Sequence, residues 1–313
     1  MELSIICVNW NSLDYLRQCI TSIYEQTHSV AFEIIVVDNA SPEGGVDSLR
    51  EEFPEITVIK SSENLGFARA NNLGYDHSYG EYLLFLNPDT QLVNPAINIL
   101  LDQIKTLPDA GIVGCTLLNG DLSVQTESIQ KFPTVLNQVF DVEWIRLRWP
   151  QCALWYIAPL FGSSLTPIKV DVIPGACLFV TRKAFESVGK FSEDYFMYAE
   201  DIDLNYKTAQ QGYASYYVGG GRVVHYAGKS SRQRKNQWST VMKFRAMVKL
   251  FRKTRGRTYA VTYQIAMGAA ALARLTLLIL VRPFVSVLFD ATRVRCASDK
   301  WNAVLKCAIG LTN

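Results

Sequence analysis

The sequence predicts an α/β fold with a mostly parallel central sheet flanked by helices, and three features carry that prediction. The run Tyr82-Leu83-Leu84-Phe85-Leu86 is apolar without alternation, as a strand covered on both faces must be. Strand-like and helix-like segments alternate from Leu3 onward, which implies parallel pairing through right-handed crossovers. Polar clusters follow the strand-like runs directly, at Asn9-Trp10-Asn11, Asp38-Asn39-Ala40-Ser41 and Asn87-Pro88-Asp89. Open α/β sheets bind their ligands just beyond the carboxyl ends of their strands.

Taken in order, Leu3–Val8 forms the first strand, and Leu13, Leu16, Ile20 and Ile23 place one apolar face on the helix after it. Phe32–Val37 is the second strand. A helix around Gly45–Phe53 leads to a third strand at Ile56–Ile59, and a helix opening near Asn64-Leu65-Gly66 runs to about Tyr79. In that opening Gly66 permits a tight turn or a close backbone approach, while Arg69 can meet an anion or a base edge. The central strand stops at Asn87, because Pro88 cannot donate to a ladder. A helix over Pro95–Thr106 and a strand over Ile112–Leu118 follow. Residues 121–172 are aromatic-rich with weak periodicity; they suit a loop packed over the core or a lid facing a saccharide. Beyond them come a strand after Pro174-Gly175-Ala176 and a short helix at Lys183–Val188. Next is a helix whose first turn carries Glu200, Asp201 and Asp203 and which ends at Gly212. A last strand spans Gly219–Val224, before His225.

The chain has 313 residues, 49% hydrophobic and 19% charged, enough for one large domain and an appendage. Its formal net charge of +2 hides an asymmetry: from Arg222 to Arg257 there are twelve basic residues and no acidic one. The seven cysteines are scattered and odd in number, without zinc-ligand spacing, which points to a reducing, cytosolic setting. Strand-like sequence from Leu3 leaves no signal peptide ahead of the fold. No Gly-x-Gly-x-x-Gly follows the first strand, which argues against a dinucleotide oxidoreductase. Nor does Asn9-Trp10-Asn11-Ser12 supply the basic glycine-rich loop of a nucleotidyltransferase.

The ordered set of motifs resembles glycosyltransferase family 2 with the GT-A (nucleotide-diphospho-sugar transferase) fold, and particularly the rhamnosyltransferase-like members of bacterial surface polysaccharide biosynthesis. The residues that carry the likeness are Asn9-Trp10-Asn11, Val36-Val37-Asp38-Asn39-Ala40-Ser41, Asn64-Leu65-Gly66-Phe67, Leu86-Asn87-Pro88-Asp89 and Gly175-Ala176. To these add Tyr198-Ala199-Glu200-Asp201-Ile202-Asp203-Leu204 and His225-Tyr226-Ala227-Gly228-Lys229-Ser230. The resemblance implies that Val8 and Asn9 line a nucleoside pocket, that Asp38 bonds the base or ribose, and that Arg69 helps hold the base. Asn64, Gly66 and Asn87 join that nucleotide-sugar site. Asp89 corresponds to the last acid of the family's Asp-x-Asp metal motif, written here Asn-Pro-Asp, and His225 to a second ligand of the divalent cation, Mg2+ or Mn2+. Asp201 corresponds to the catalytic base, with Glu200 beside it supporting the acceptor. Two departures touch the acceptor side. Gly189-Lys190-Phe191-Ser192 stands where the family often has Gly-Gly-Phe-Asp, and Leu204-Asn205-Tyr206-Lys207 where it often has Leu-Cys-Arg.

The chemistry suits these residue types. A cation held by few protein ligands keeps room for phosphate oxygens and neutralises charge developing on a nucleoside diphosphate leaving group. One carboxylate removes the proton of an attacking hydroxyl, and a single base without a protein nucleophile implies inversion at the sugar carbon. By resemblance the donor is dTDP-rhamnose ahead of a UDP-sugar. The rival from another class is a catalytically silent, membrane-bound partner that keeps the fold as a binding module.

Residues 1–235 form the expected catalytic domain and residues 236–313 an appendage. Val241, Phe244, Met247, Val248 and Phe251 share a helical face among basic residues, the pattern of a helix lying on a membrane surface. Tyr259–Val281 is mostly apolar but carries Arg274, which costs roughly 2.5–3.5 kcal/mol at mid-bilayer. That favours a shallow or re-entrant pair of membrane-associated helices broken near Pro283 over one true span, and over a soluble helical appendage. The expected location is the cytoplasmic side of the inner membrane, peripheral or monotopic, with a lipid-linked glycan as acceptor. The apolar neighbour makes membrane rather than nucleic acid the partner of the basic stretch.

Overall fold

The computed structural model describes residues 1–162, 165–226, 236–281 and 291–311. The described chain packs as two units. Of the described residues, the first comprises 1–132, 142–162, 165–196 and 200–226, and the second 133–141, 197–199, 236–281 and 291–311.

The first unit is a GT-A-like α/β fold built on one nine-stranded sheet, in the order β3 (Thr57–Lys60), β2 (Phe32–Asp38), β1 (Leu3–Asn9), β4 (Tyr82–Leu86), β8 (Cys177–Thr181), β6 (Ala110–Leu118), β9 (Ala214–His225) and β5 (Thr90–Leu92), with β7 (Ile168–Val170) pairing β9. The expected alternation appears as β1 (Leu3–Asn9), α1 (Leu13–Gln26), β2 (Phe32–Asp38), α2 (Ser48–Glu52), β3 (Thr57–Lys60), α3 (Gly66–Tyr75) and β4 (Tyr82–Leu86). These four strands pair in parallel. From β4 onward the sheet is mixed. β5 (Thr90–Leu92), α4 (Ala96–Thr106), β6 (Ala110–Leu118), β7 (Ile168–Val170), β8 (Cys177–Thr181) and β9 (Ala214–His225) follow. β8 runs antiparallel to both β4 and β6, β6 is parallel to β9, and β5 and β7 are antiparallel to β9.

Strand alternation sorts the core into two layers. Leu3, Ile5 and Cys7 of β1 face Leu16, Ile20 and Ile23 of α1 and Leu100, Leu101 and Ile104 of α4. Ile6 faces the other way, in a layer with Ala68 and Ala70 of α3, Phe185 and Leu204. Phe185 lies on α7 (Arg182–Ser187) and Leu204 on α8 (Glu200–Gln210). Each fully buried side chain of this kind contributes about 1.5–3 kcal/mol. At the centre of the second layer Phe85, Phe185 and Phe191 meet with ring centroids 4.8–5.4 Å apart.

Several elements differ from the sequence expectation for local reasons. The helix expected at Gly45–Phe53 is only Ser48–Glu52, since Gly44 and Gly45 both take positive φ (65° and 83°). α3 stops at Tyr75 rather than near Tyr79, where the Ser78 hydroxyl donates to the Tyr75 carbonyl at 2.7 Å. β9 begins at Ala214, well before Gly219; its register against β6 slips between Val218 and Arg222, so Gly219–Gly221 form a bulge. The aromatic-rich segment divides. Trp155, Ile157 and Leu160 join the second layer, while Trp144, Trp149, Tyr156 and Phe161 stay exposed around α6 (Glu143–Arg148).

The second unit is helical. α5 (Val135–Val139) opens on a capping box made by Thr134 and Asn137. α9 (Asn236–Val281) is broken at Gly256, whose φ of 86° interrupts the helix, and α10 (Ala291–Ala308) packs on it. The two arms of α9 meet through ring contacts of Tyr263 with Phe244 (5.5 Å) and Phe251 (4.9 Å). The apolar face of the amphipathic arm, expected to lie on a membrane, is therefore covered inside this unit. The exposed apolar row belongs instead to the other arm, at Val261, Ile265, Leu272, Leu277, Ile279 and Leu280. An apolar helix long enough to cross a membrane lies within Gln237–Leu280. The break expected at Arg282-Pro283 lies outside the described residues.

Candidate active site

The carboxyl ends of β1, β2 and β4 converge, as the sheet order requires. Asn9 and Asp38 sit opposite each other in register, both buried. Asn9 donates to Asp38 Oδ1 at 2.9 Å, and the Ser41 hydroxyl donates to the same oxygen at 2.6 Å. Asp38 Oδ2 meets the Ser41 N–H at 3.5 Å. Asn11 and Ala40 take positive φ (52° and 56°) where the chain turns off the two strands. Val8 is half-buried beside them.

The opening of α3 is clamped by two amides. Asn39 accepts from the Leu65 N–H at 2.8 Å and donates to Asn64 Oδ1 at 3.2 Å, and Asn64 Oδ1 also accepts from the Gly66 N–H at 3.0 Å. Asn64 thus shapes the turn with its carbonyl. Gly66 has φ +77°, and a Cβ there would lie 2.1 Å from the Phe196 carbonyl oxygen. The next N–H, of Phe67, donates to that oxygen at 2.9 Å. Close backbone approach is therefore what this glycine provides. Arg69, one turn further, is half-exposed between Glu63 (3.9 Å) and Glu193 (4.0 Å), distances long enough to release its guanidinium to a ligand.

Asp89 and His225 are brought together by the three-residue strand β5, whose Thr90 pairs with His225. His225 Nε2 lies 3.5 Å from Asp89 Oδ1 and 3.3 Å from Asn87 Nδ2. Asp89 is 2% exposed, deep for a carboxylate. Gln125 fixes the imidazole: its Nε2 donates to the His225 carbonyl at 2.6 Å, which turns its Oε1 toward His225 Nδ1 at 3.2 Å. The proton is thereby assigned to Nδ1, and the Nε2 lone pair points toward Asn87 and Asp89. An imidazole nitrogen beside a carboxylate, oriented by an amide behind it, fits a divalent cation whose other positions go to substrate phosphates. Among the described residues no group of three or more His, Cys, Asp or Glu that could hold a metal occurs, and Asp89 with His225 makes a pair. Gln125 escaped the sequence reading, since a lone Gln in a loop carries no signal there.

Asp201 is half-buried in the first turn of α8 and accepts from the Gly175 N–H (Oδ2, 2.9 Å) and the Ile202 N–H (Oδ1, 2.8 Å). Glu200 beside it is buried. Asp203 serves the structure, accepting from the Ser192 hydroxyl at 2.5 Å and from Tyr195 at 3.5 Å. Ser192, which replaces the family's usual Asp, thus anchors the loop to α8. The two residues ahead of the acids, Tyr198 and Ala199, both take positive φ (72° and 65°), a strained run at a cost of about 1–3 kcal/mol each. Gly175 and Ala176 join the carboxylate to the sheet: Gly175 donates to Asp201, and the Ala176 carbonyl accepts from the Asn87 N–H at 3.0 Å. The remainder of the last motif, Ala227–Ser230, lies outside the described residues. A cleft of about 520 Å³ lined by Arg148, Trp149, Pro150, Gln151, Cys152 and Trp155 contains none of the expected site residues.

The family model "Glycosyl transferase family 2" matches residues 4–189. Among curated proteins, the N-acetylglucosaminyl-diphospho-decaprenol L-rhamnosyltransferase of Mycobacterium tuberculosis is 28% identical over 244 residues, covering 73% of this chain and 77% of its own. The rhamnosyltransferase WbbL of Escherichia coli is 25% identical over 242 residues, 73% of this chain and 84% of its own. Among solved structures, a mannosyltransferase of Pyrobaculum calidifontis in complex with GDP-Man and Mn2+ superposes with a TM-score of 0.59 at 18% identity, covering 99% of this chain and 86% of that one. That last likeness is one of fold.

Proposed function

The chain belongs to glycosyl transferase family 2, and from that premise we propose that it moves rhamnose from dTDP-rhamnose to a hydroxyl of a lipid-linked glycan, with inversion, assisted by a divalent cation. The coarser activity, transfer of a sugar from a nucleotide-sugar donor to an acceptor, comes with the family. Rhamnose is supported by the two rhamnosyltransferase relatives, and a lipid-diphosphate acceptor by the name of the first.

The observation that carries the reading is the spacing of roles across one sheet edge. At one end Asn9, Asp38 and the opening of α3 with Arg69 form a polar floor for a nucleoside. Next to it, Asp89 and His225 would hold Mg2+ or Mn2+, which when bound offsets the charge growing on the departing diphosphate. Asn87 Nδ2 lies 3.3 Å from His225 Nε2, a contact that a cation on that nitrogen would replace. Across the Gly175-Ala176 dipeptide stands Asp201, with both oxygens oriented by backbone N–H groups, to take the proton of the attacking hydroxyl. Glu200, buried beside it, would support the acceptor.

The test is a screen of UDP-, GDP- and dTDP-sugars with and without Mn2+, reading nucleotide release and binding. Metal-stimulated release from dTDP-rhamnose is expected. Asp201→Asn should keep donor binding while turnover falls about 10²–10⁴-fold; a near-normal rate removes Asp201 from the mechanism. A folded protein that binds no nucleotide sugar would favour the silent binding module.

A further inference from the structure

Arg274 is out of place on an apolar helix face, and the second unit shows what surrounds it. Leu272, Leu277, Ile279 and Leu280, its neighbours along α9, are exposed. The guanidinium lies 4.2 Å from the ring centroid of Trp301 on α10 and donates to the Val139 carbonyl at 2.5 Å. Lys300 stands 5.1 Å from the same ring, and Lys243 stands 5.0 Å from the ring of Tyr198. Asp141 is a carboxylate that acts on both Arg274 and Lys300. Desolvation, opposed by Asp141 and joined by the like charges of Lys243 and Arg274, lowers the Lys300 pKa. Three cations thus gather on two aromatic rings, and Lys243 and Lys300 remain open to solvent. An arrangement of that kind is completed by an anion. The exposed leucines on the same helix suit an anion with an apolar tail.

We propose that Lys243, Arg274 and Lys300, gathered on Tyr198 and Trp301, bind the diphosphate of a lipid-linked acceptor, whose hydrocarbon chain lies along the exposed leucines of α9. This rests on the transferase reading above and adds to it the recognition of the acceptor's phosphates. A diphosphate has oxygens enough for an arginine fork and two ammonium groups at once. Tyr198, under Lys243, stands three residues before Asp201 in the chain. Arg274, costly to a membrane span, here has a role that requires its charge.

The test uses the full chain with farnesyl diphosphate as probe, read by calorimetry, with farnesol and vesicles of phosphatidylglycerol as separate arms. Wild type should bind farnesyl diphosphate and not farnesol. Lys243→Gln and Lys300→Gln, which keep most of each stem, should each weaken binding about tenfold or more, and Lys300→Arg should restore it. Melting curves should be unchanged, which separates lost charge from lost fold. Farnesyl diphosphate binding that ignores both glutamine variants overturns the site. So does a result in which the variants lose only phosphatidylglycerol vesicles, for then the cations face bulk lipid. A wild type that binds its nucleotide sugar but no farnesyl diphosphate sinks this inference and leaves the transferase reading standing. Charge-dependent farnesyl diphosphate binding without any nucleotide-sugar binding would support the site and sink that reading instead.

Discussion

Gln125 acts on His225 through two bonds, one to its ring and one to its backbone, so it governs which nitrogen carries the lone pair. Gln125→Leu should therefore weaken Mn2+ binding about 10–100-fold, as loss of a bond behind a ligand does, with donor affinity measured without metal nearly unchanged. Titration of Mn2+ by electron paramagnetic resonance checks it. Gly66 offers a sharper case. A Cβ there meets the Phe196 carbonyl at 2.1 Å and must also adopt φ +77°. Gly66→Ala should destabilise the first unit by at least about 1–3 kcal/mol, visible as a lower thermal midpoint. At this scale the sequence is partly legible. The motif marks Gly66 as a place of close approach, but not what approaches. It marks Asn64 as a candidate for the donor, but not that Asn64 Oδ1 makes two bonds that form the turn.

Among elements, legibility follows length. β1, β2 and β4 are mostly apolar runs and lie where the pattern puts them. β5 and β7, three residues each, leave no periodic trace. Yet β5 alone puts Asp89 beside His225, partners separated by 136 positions in the sequence. The antiparallel insertion of β8 between β4 and β6 is likewise unreadable, because a buried strand looks the same in either direction. The loop between α7 and α8 is tied down by Phe191, whose ring meets Phe85 of β4 and Phe185 of α7. Phe191→Ala should cost about 3–5 kcal/mol. Hydrogen exchange should show the loss spreading into the backbone around Ser192 and Tyr195.

For the molecule as a whole, the amphipathic pattern of residues 241–251 is genuine, but its partner differs from the expected one: the apolar face finds α9's other arm and α10 rather than lipid. Periodicity reports that a face is covered, never by what. Membrane attachment then depends on the exposed row of the second arm, so Leu272→Asp with Leu280→Asp should abolish flotation with anionic vesicles while the melting curve holds. A pH dependence follows from the core. Burial raises Tyr195 and Tyr217 above the usual phenol range, and the Asp203 carboxylate raises Tyr195 further. Raised acids give stability that is intact below the unfolded value, about 10, and declines as pH climbs toward the folded one. Denaturant midpoints should thus fall above about pH 10, with the phenolate absorbance of Tyr195 and Tyr217, beyond that of the exposed tyrosines, appearing only as the fold opens.

The Gly175-Ala176 dipeptide carries a consequence for how such a protein can diverge. The N–H of Gly175 orients Asp201 and the carbonyl of Ala176 holds Asn87. A drift in this short segment moves both ends together. New acceptor preferences are therefore more accessible through the outer loops, and a lineage that alters residues 175–176 has to retune its donor chemistry in the same step.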